Sequence, residues 1–327
     1  MYFLLNTFKI DEKILTYGEK MESNISNETL EKLANAHIKD LKSKRRWKLF
    51  IRIVIILIVL IMIVPRLFSS SKELTPHIAL VKVQGVIAED AEANSERVNK
   101  SLDDAYESKL TKAVIVEINS PGGSPVQSDE IYEHMQYLQK KHPKVPMYAV
   151  CTDVCASGGY YIATGAKEIY ANKMTITGSI GVIGSGFGFT GLMDKIGVER
   201  RTYTSGKNKD FLDPFSPQKP EQTKQFEKLL DETHQVFIDA VEKSRGDRLK
   251  VKSKDTTFSG EPFSGIQAEK IGLIDGFASV SQLKQEKLDN MDIVDYTRPL
   301  DFLTAVSQKL GNSVYYKAAS EASFSLK

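Results

Sequence analysis

Apolar residues are most concentrated in one run near the N-terminus, Ile53 to Val64, which contains no charged residue, glycine or proline. Extended to Leu49 and Phe68, the run reaches 20 residues. This is about the length that a helix rising ~1.5 Å per residue needs to cross roughly 30 Å of hydrocarbon. Basic residues crowd the stretch immediately before it: Lys39, Lys42, Lys44, Arg45, Arg46, Lys48 and Arg52. The pattern predicts a transmembrane helix over residues 48–68.

The charges around this span predict its orientation. Arg52 and Arg66 lie near its ends, where long side chains reach the lipid headgroups, and Trp47 is placed as an interfacial anchor. Because basic residues favour the cytoplasmic side, we expect residues 1–47 in the cytoplasm and the chain beyond the 69–76 linker outside it. A cleaved signal peptide is the weaker alternative, since about fifty residues precede the run and no A-x-A-like site follows it.

From Ile78 onward the pattern changes to short apolar runs rich in β-branched residues, separated by polar segments. The runs predict strands over 78–87, 113–118, 146–151 and 168–171, and the segments between them predict helices over 94–108, 128–141 and 157–166. Strands that alternate with helices indicate an α/β fold with mostly parallel strands. We assign residues 77–289 to one extracytoplasmic domain and residues 290–327 to a C-terminal extension.

Composition narrows the function classes only a little. Of 327 residues, 41% are hydrophobic and 26% charged, as expected of a globular protein. The net charge of +2 gives no reason to expect nucleic acid as a partner. Cys151 and Cys155 are the two cysteines, too few for a disulfide framework or a four-cysteine zinc site. An oxidising compartment would permit a bridge, but a spacing of four need not bring their Cβ atoms together. We therefore interpret them as two small buried side chains.

Two glycine-containing turns follow predicted strands, where an open α/β sheet binds its ligands. In the first, residues 120–123 (SPGG), paired glycines let backbone N–H groups point into a cleft, which suits an oxyanion formed during acyl transfer. Alone, this segment is more often a tight turn. The second, residues 156–161 (ASGGYY), places Ser157 at a helix start, where serine is more often an N-cap than a nucleophile. No G-x-S-x-G elbow surrounds Ser157.

Five segments taken together carry more weight than either turn. They are NSPGG at 119–123, ASGGYYIA at 156–163, TGSIGVI at 177–183, SGKNKD at 205–210 and AEKIGLIDG at 268–276. In their order and spacing the chain resembles the signal peptide peptidase A family of bacterial membrane proteases, which have the Clp protease/crotonase fold. The predicted N-terminal anchor matches this family as well. Cys155, two residues before Ser157, departs from the family pattern.

The resemblance implies a role for each of five residues. Ser157 would be the nucleophile and Lys209 the general base, with Ser179 orienting the lysine amine. The backbone N–H groups of Gly123 and Gly158 would form the oxyanion hole. A lysine acts as a base near neutral pH only where burial lowers its pKa from ~10.4 to about 7. Without the resemblance, a lysine in such a polar loop would be interpreted as a solvated surface charge.

The resemblance also implies a substrate class and an assembly. We expect a serine endopeptidase of the bacterial plasma membrane that cleaves hydrophobic peptides, such as remnant signal peptides, and needs no metal or other cofactor. The expected partners are the peptide substrate, the lipid bilayer and further copies of the chain. Single-domain members form a ring in which neighbouring chains supply the serine and the lysine. We therefore expect a homo-oligomer of about eight protomers.

Three alternatives compete with this reading. A Ser-His-Asp triad would have to use one of four histidines in the domain, none of which lies in a glycine-rich or strand-end context: His77, His134, His142 and His234. A crotonase-type acyl-CoA enzyme would share the oxyanion hole, but it would need a carboxylate near the site and a cytoplasmic cofactor. A catalytically silent membrane scaffold is the non-enzyme alternative, and the retention of Ser157 and Lys209 argues against it.

Overall fold

The protein is described here from a computed structural model, covering residues 28–42, 44–60, 75–251, 253 and 255–299. The chain divides into two compact units, Met1–Lys72 and Glu73–Lys327. In the first unit, residues 28–42 and 44–60 form helix α1. Among the described residues no helix combines the length and apolar character needed to cross a bilayer. Residues 61–68 of the predicted span lie outside the described residues.

The second unit is built on one eight-stranded sheet. Its strands are β1 (His77–Gln84), β2 (Thr111–Ser120), β3 (Met147–Ala156), β4 (Glu168–Ala171), β5 (Ile176–Gly178), β6 (Pro262–Ser264), β7 (Gly276–Phe277) and β8 (Asp292–Asp295). The main order is β6-β5-β3-β2-β1-β8, while β4 pairs with both β3 and β7. Every pair is parallel except β5 with β6. The predicted α/β class with a mostly parallel sheet is confirmed.

Helices connect the strands of this sheet. They are α2 (Ser95–Glu107), α3 (Pro125–Lys141), α4 (Gly158–Ala163), α5 (Thr190–Ile196), α6 (Pro220–Arg245), α7 (Gly265–Ile271) and α8 (Val280–Lys287). The predicted strands and helices are present, with two shifts beside Ser157. Strand β3 continues to Ala156, beyond the predicted end at Cys151, and α4 begins at Gly158 and already ends at Ala163, before the predicted end at Ala166.

Both faces of the sheet are buried, which is why its central strands read as continuous apolar runs. In β1, Ala79 and Val81 belong to the larger core, which also contains buried side chains of α2, α3, α4, α6 and α7. Ile78 and Leu80 point to the other face and belong to a smaller core with Leu283 of α8. Alternate side chains of β1 therefore enter two different cores, and at these positions neither face of the strand is exposed to solvent.

The sheet continues beyond residue 289. Strand β8 pairs in parallel with β1, placing Asp292 beside His77 and Asp295 beside Leu80. The Tyr296 N–H then donates to the Leu80 carbonyl at 2.8 Å. The described part of the predicted C-terminal extension, residues 290–299, thus includes an edge strand of the domain.

An ion pair fixes the end of α6 to the start of β7. Arg245, 1% exposed, donates from both terminal nitrogens to Asp275 at 2.8 and 2.9 Å. The Ile169 N–H donates to the same carboxylate at 2.7 Å. Burial alone would raise the pKa of Asp275, but these hydrogen bonds and the guanidinium charge outweigh it and hold the pKa below its ordinary value. The AEKIGLIDG segment at 268–276, which includes Asp275, therefore has a structural role.

Residues 183–217, called the arm below, contrast with this packing. None of them is buried, and α5 within the arm contributes no buried side chain. Large apolar side chains are exposed along it, including Ile183 at 87%, Phe187 at 80% and Tyr203 at 88%. The arm is therefore an apolar surface without a covering layer in the single chain.

Candidate active site

Ser157 occupies a sharp turn between β3 and α4. Its backbone has φ 53° and ψ −124°, a left-handed conformation that L-residues adopt only at a cost. The Ser157 N–H donates to the Gly178 carbonyl at 2.8 Å, and its carbonyl accepts from the Tyr161 N–H at 2.9 Å. Its side chain makes no capping hydrogen bond. The residue stands at the N-cap position without acting as a cap, which leaves its hydroxyl available for chemistry.

This backbone geometry corrects one expectation from the sequence. The absence of G-x-S-x-G led us to exclude a nucleophile elbow at Ser157. The structure nevertheless has the strained strand-to-helix turn that defines such an elbow. Here the turn is held by the backbone bonds to Gly178 and Tyr161 rather than by flanking glycines on both sides.

The strand leading to Ser157 carries a bulge closed by a disulfide. Cys151 pairs with Ile118 and Cys155 with Ser120, so four residue steps on β3 oppose two on β2. The bulge brings the two cysteine Cα atoms to 5.4 Å, within the range that a disulfide spans. The interpretation of two unpaired cysteines was therefore wrong, although both side chains are buried as predicted.

The glycine turn after β2 lies directly beside Ser157. The Ile87 N–H donates to the Gly122 carbonyl at 3.0 Å, and the Ser124 N–H donates to the Ile87 carbonyl at 2.8 Å. In this parallel bridge the N–H of Gly123 itself points away from Ile87. A side chain at Gly123 would place its Cβ 2.1 Å from the Ile87 carbonyl oxygen, so only glycine fits.

Gly158 completes the pair of amides. A Cβ built on Gly158 would lie 3.4 Å from the Gly123 nitrogen and 2.4 Å from Ser128 Oγ. A Cβ on Gly122 would lie 3.0 Å from Ser157 Oγ. The glycines of the two turns therefore lie together around the serine. Such N–H groups are what an oxyanion-hole geometry requires.

Ser179 lies next to this group. It follows Gly178, the residue whose carbonyl binds the Ser157 N–H. Its own N–H donates to the Glu261 carbonyl at 3.0 Å, and its hydroxyl donates to the Gly260 carbonyl at 3.2 Å. Because the hydroxyl proton is directed at Gly260, the oxygen keeps lone pairs that can accept a hydrogen bond from an amine.

Lys209 lies elsewhere, on an exposed turn of the arm where its N–H donates to the Gly206 carbonyl at 3.1 Å. The neighbouring Asp210 anchors the turn by accepting from Lys219 at 2.6 Å and from Gln222 at 3.3 Å. The hydrogen bond from Lys219 holds the pKa of Asp210 below its ordinary value. The structure does not bring Lys209 and Ser157 together within one chain.

A cavity of about 400 Å³ opens beside Ser157. Its lining comes from the glycine turns, the start of α3, α4, the segment after β5 and α6: Gly123, Pro125, Val126, Ser128, Asp129, Ser157, Gly158, Tyr161, Gly181, Val182, Ile183, Glu232, Thr233, Val236 and Phe237. No lysine is among these described residues, and the walls are mainly apolar. The cavity suits a peptide side chain held next to a reacting carbonyl.

No histidine contacts Ser157 in the described part of the chain. His134 pairs with Asp103 at 2.8 Å on the outer helices, and His77 is hydrogen-bonded to Tyr296 at 2.9 Å. His234 comes nearest to the site, because its Nε2 lies 3.1 Å from the carbonyl oxygen of Ile180, just past Ser179. It holds the segment after β5 in place, and the geometry gives no Ser-His-Asp triad.

Sequence reasoning missed the positions of three residues around the cavity. Tyr161 and Asp129 form a hydrogen bond within its lining, at 2.7 Å, and His234 contacts the Ile180 carbonyl next to it. Tyr161 falls within a segment that carries the resemblance. Asp129 and His234 sit in ordinary helical patterns, so no local signal distinguished them from surface residues.

Comparison with known proteins agrees with this geometry. The profile of peptidase family S49 matches residues 139–293. A protein of Enterococcus faecium, named as a candidate signal peptide peptidase SppA, is 33% identical over 272 residues, which cover 76% of this chain and 77% of that protein. The chain belongs to the signal peptide peptidase A family. A candidate protease of Synechocystis sp. is 36% identical over 208 residues, covering 64% of this chain and 72% of the Synechocystis protein.

Some of the proteins that this chain resembles are much longer than it is. The Na(+)/H(+) antiporter NhaA of Brucella melitensis is 45% identical over 179 residues, which cover 55% of this chain but 24% of the antiporter. The chain therefore spans about a quarter of the length of that relative. Most of the antiporter lies outside the matched region, so its name gives no information about the activity of this chain. What carries over to this chain is its membership of a serine peptidase family.

Proposed function

We propose that the chain is a membrane-anchored serine endopeptidase that uses Ser157 as nucleophile and Lys209 as general base. The observation that carries the proposal is the uncapped Ser157 hydroxyl on a strained turn beside Gly123 and Gly158. Strained backbone of this kind persists only where the surrounding structure holds it, and it is common at active sites. Membership of a peptidase family supports the same reading.

The chemistry follows from these groups. Ser157 Oγ attacks the scissile carbonyl as its proton passes to the amine of Lys209, and the Gly123 and Gly158 N–H groups stabilise the resulting oxyanion. Collapse of the tetrahedral intermediate breaks the C–N bond, and Lys209 gives the proton to the departing amine. The acyl-enzyme is then hydrolysed by a water that Lys209 activates. Ser179 orients the lysine amine through the oxygen of its hydroxyl.

The site is proposed to form between two copies of the chain. Lys209 is absent from the cavity lining, and the arm that carries it is exposed and partly apolar. A closed ring lets every arm lie on its neighbour and every Ser157 receive a lysine, because a head-to-tail interface closes by rotation. We propose a ring of about eight protomers.

The proposed setting is the bacterial plasma membrane, with residues 1–47 in the cytoplasm and the catalytic domain outside. The apolar run from Ile53 to Val64 behind a basic cluster supports the anchor and its orientation. The Cys151–Cys155 disulfide supports an oxidising compartment for the domain. Membrane-proximal apolar peptides, such as remnant signal peptides, are the proposed substrates, and the apolar walls of the cavity support this class.

One competing function has an observation in its favour. A crotonase-type acyl-CoA enzyme needs a carboxylate near its oxyanion hole, and Asp129 lines the cavity. The mixed sheet is also compatible with the Clp protease/crotonase-like fold that both functions share. We favour the peptidase because the comparisons name peptidases, whereas an acyl-CoA enzyme has no use for an uncapped serine on a strained turn.

The test is peptide hydrolysis by the full chain in detergent micelles. Wild type is expected to cleave an internally quenched apolar peptide, and a fluorophosphonate probe is expected to label Ser157. Ser157→Ala should lose both, with a rate reduction of at least about 10⁴-fold. If wild type and Ser157→Ala were equally active or equally inert toward peptides, the serine mechanism would be abandoned. Inertness together with hydrolysis of an acyl-CoA would favour the alternative.

A further inference from the structure

The cavity beside Ser157 is lined mainly by apolar residues and also contains a carboxylate and a phenol. Val126 forms one wall from α3, and Val236 and Phe237 form another from α6. Tyr161 is 7% exposed, and its ring packs 5.0 Å from the ring of Phe237. Asp129, from the second turn of α3, lines the same space. A side chain that occupies the cavity can therefore contact both apolar surface and a carboxylate.

Asp129 is held in position by one hydrogen bond, and its carboxylate has further acceptor capacity. The Tyr161 hydroxyl donates to Asp129 Oδ1 at 2.7 Å. Burial raises the pKa of Tyr161, and the hydrogen bond to Asp129 raises it further, so the phenol stays a donor. A carboxylate has roughly four acceptor positions, and this bond occupies one. The second carboxylate oxygen remains for another donor.

No cation of the described chain is paired with Asp129. Lys243, a cation on the neighbouring α6, lies over the ring of Tyr132 at 5.8 Å. The other carboxylate of the cavity, Glu232, is exposed and lies 3.7 Å from Lys228. A half-buried carboxylate that lines a cavity and has an oxygen without a partner among the described residues can be matched by a ligand that brings a positively charged donor.

We propose that Asp129 is a specificity-determining residue that selects a lysine or arginine side chain next to the scissile bond. The apolar stem of such a side chain lies against Val126, Val236 and Phe237, and its cationic end reaches Asp129. The inference rests on the proposed peptidase function and narrows its substrate class. It favours cleavage where a basic segment meets an apolar one, which is the junction found at the start of a signal peptide.

The experiment compares three quenched peptides that differ only at the residue on the acyl side of the scissile bond: lysine, methionine or glutamate. Methionine matches the unbranched stem of lysine without its charge. We expect the wild-type full chain to favour lysine over methionine by at least about 10-fold in kcat/KM, and to cleave the glutamate peptide slowest. Asp129→Asn should bring the lysine-to-methionine ratio close to one, through loss of rate on the lysine peptide.

The variant keeps an amide oxygen for the Tyr161 hydroxyl, so a purely structural role of Asp129 predicts an unchanged ratio. Glu133→Gln is the matched control, because this exposed residue lies one turn further along α3 and does not line the cavity. Asp129→Lys should reverse the order and favour the glutamate peptide.

Two results would overturn the inference, and they are distinguishable. If wild type cleaves the lysine and methionine peptides equally and Asp129→Asn changes neither, the specificity claim is wrong while the peptidase function stands. If wild type and Ser157→Ala leave all three peptides intact, the proposed function fails and the inference falls with it.

Discussion

The two halves of the proposed dyad occupy opposite kinds of structure. Ser157 is attached to a buried strand and a buried helix, and its backbone is bonded on both sides. Lys209 lies in an arm with no buried residue, on a turn held by Asp210 and its partners. A single chain thus assembles the proposed nucleophile, the proposed oxyanion amides and the cavity, whereas the proposed base lies on an exposed turn.

This difference shows which part of the chemistry a single chain can preorganise. Preorganisation depends on groups whose positions are fixed by packing, and the Ser157 turn meets that condition. An amine that remains in water is protonated at neutral pH and does not act as a base. The proposed mechanism therefore requires a surface that covers the arm, and a second copy of the chain is the surface that we propose.

The largest expected effect separates two neighbouring lysines of the arm, Lys207 and Lys209. Lys209→Ala should lower kcat by about 10³-fold, because the proton of Ser157 loses its acceptor. Lys207→Ala, an exposed neighbour two residues away, should stay within about 3-fold of wild type. Steady-state peptide hydrolysis measures both. Similar losses in the two variants would mean that the arm acts through its overall charge rather than through one base.

The next effect contrasts an ion pair of the buried frame with one of the arm. The frame is the eight-stranded sheet together with the helices packed against it. Asp275→Ala leaves Arg245 buried without its carboxylate and should lower the free energy of unfolding by about 3–5 kcal/mol. Glu199→Ala removes an arm carboxylate that is 73% exposed and whose partner Arg201 is 70% exposed, and should cost no more than about 1 kcal/mol. Urea unfolding measures both, and equal losses would remove the contrast between frame and arm.

The same ion pair predicts the acid side of the stability profile. Because the folded state holds the pKa of Asp275 below its ordinary value, its contribution is complete above the unfolded pKa of ~3.9. The contribution is lost as the pH falls through the lower folded pKa. The difference in stability between wild type and Asp275→Ala should therefore shrink below about pH 4.

A smaller effect is expected from the disulfide in the strand that leads to Ser157. Replacing both cysteines, Cys151→Ser with Cys155→Ser, should cost about 2 kcal/mol, because the short loop that the bridge closes gives a modest loss of chain entropy. Unfolding with and without a dithiol reductant checks the value. The double variant should be insensitive to the reductant, and a wild type equally insensitive would mean that the bridge adds nothing to the frame.

The smallest effect concerns the backbone of Ser157. Glycine adopts a positive φ without the penalty that serine or alanine carries. Ser157→Gly should therefore be more stable than Ser157→Ala by about 1 kcal/mol, although both lack the nucleophile. Thermal unfolding of the two inactive variants makes the comparison. A Ser157→Gly chain that is no more stable would show that the turn is relaxed.

The frame was more predictable from the sequence than the site. Strands such as β1 and β2 were found because burial on both faces leaves a continuous apolar run. The four-residue β8 begins and ends with aspartate, so nothing marked it as a strand. The pairing of Cys151 with Cys155 depends on a register shift against β2, which no spacing rule reveals.

The residues of the candidate site also differ in how far the sequence predicts them. Ser157, Gly123 and Gly158 lie in segments that carry a recognisable pattern, and the structure brings them together. Lys209 was named through the resemblance alone, since a lysine in a polar loop has no distinguishing local signal. Asp129 acquires its meaning only when α3, α4 and α6 meet around one cavity. Such a meeting is a property of tertiary packing.

The central claim is that Lys209 serves the Ser157 of a neighbouring copy, and subunit complementation tests it most directly. Ser157→Ala and Lys209→Ala chains, carrying different tags, are produced together, and mixed oligomers are isolated through both tags. A shared site predicts that two inactive variants regain up to about a quarter of the wild-type rate, because about one interface in four joins an intact serine to an intact lysine. Mixed oligomers that form but stay as inactive as either parent would contradict the account.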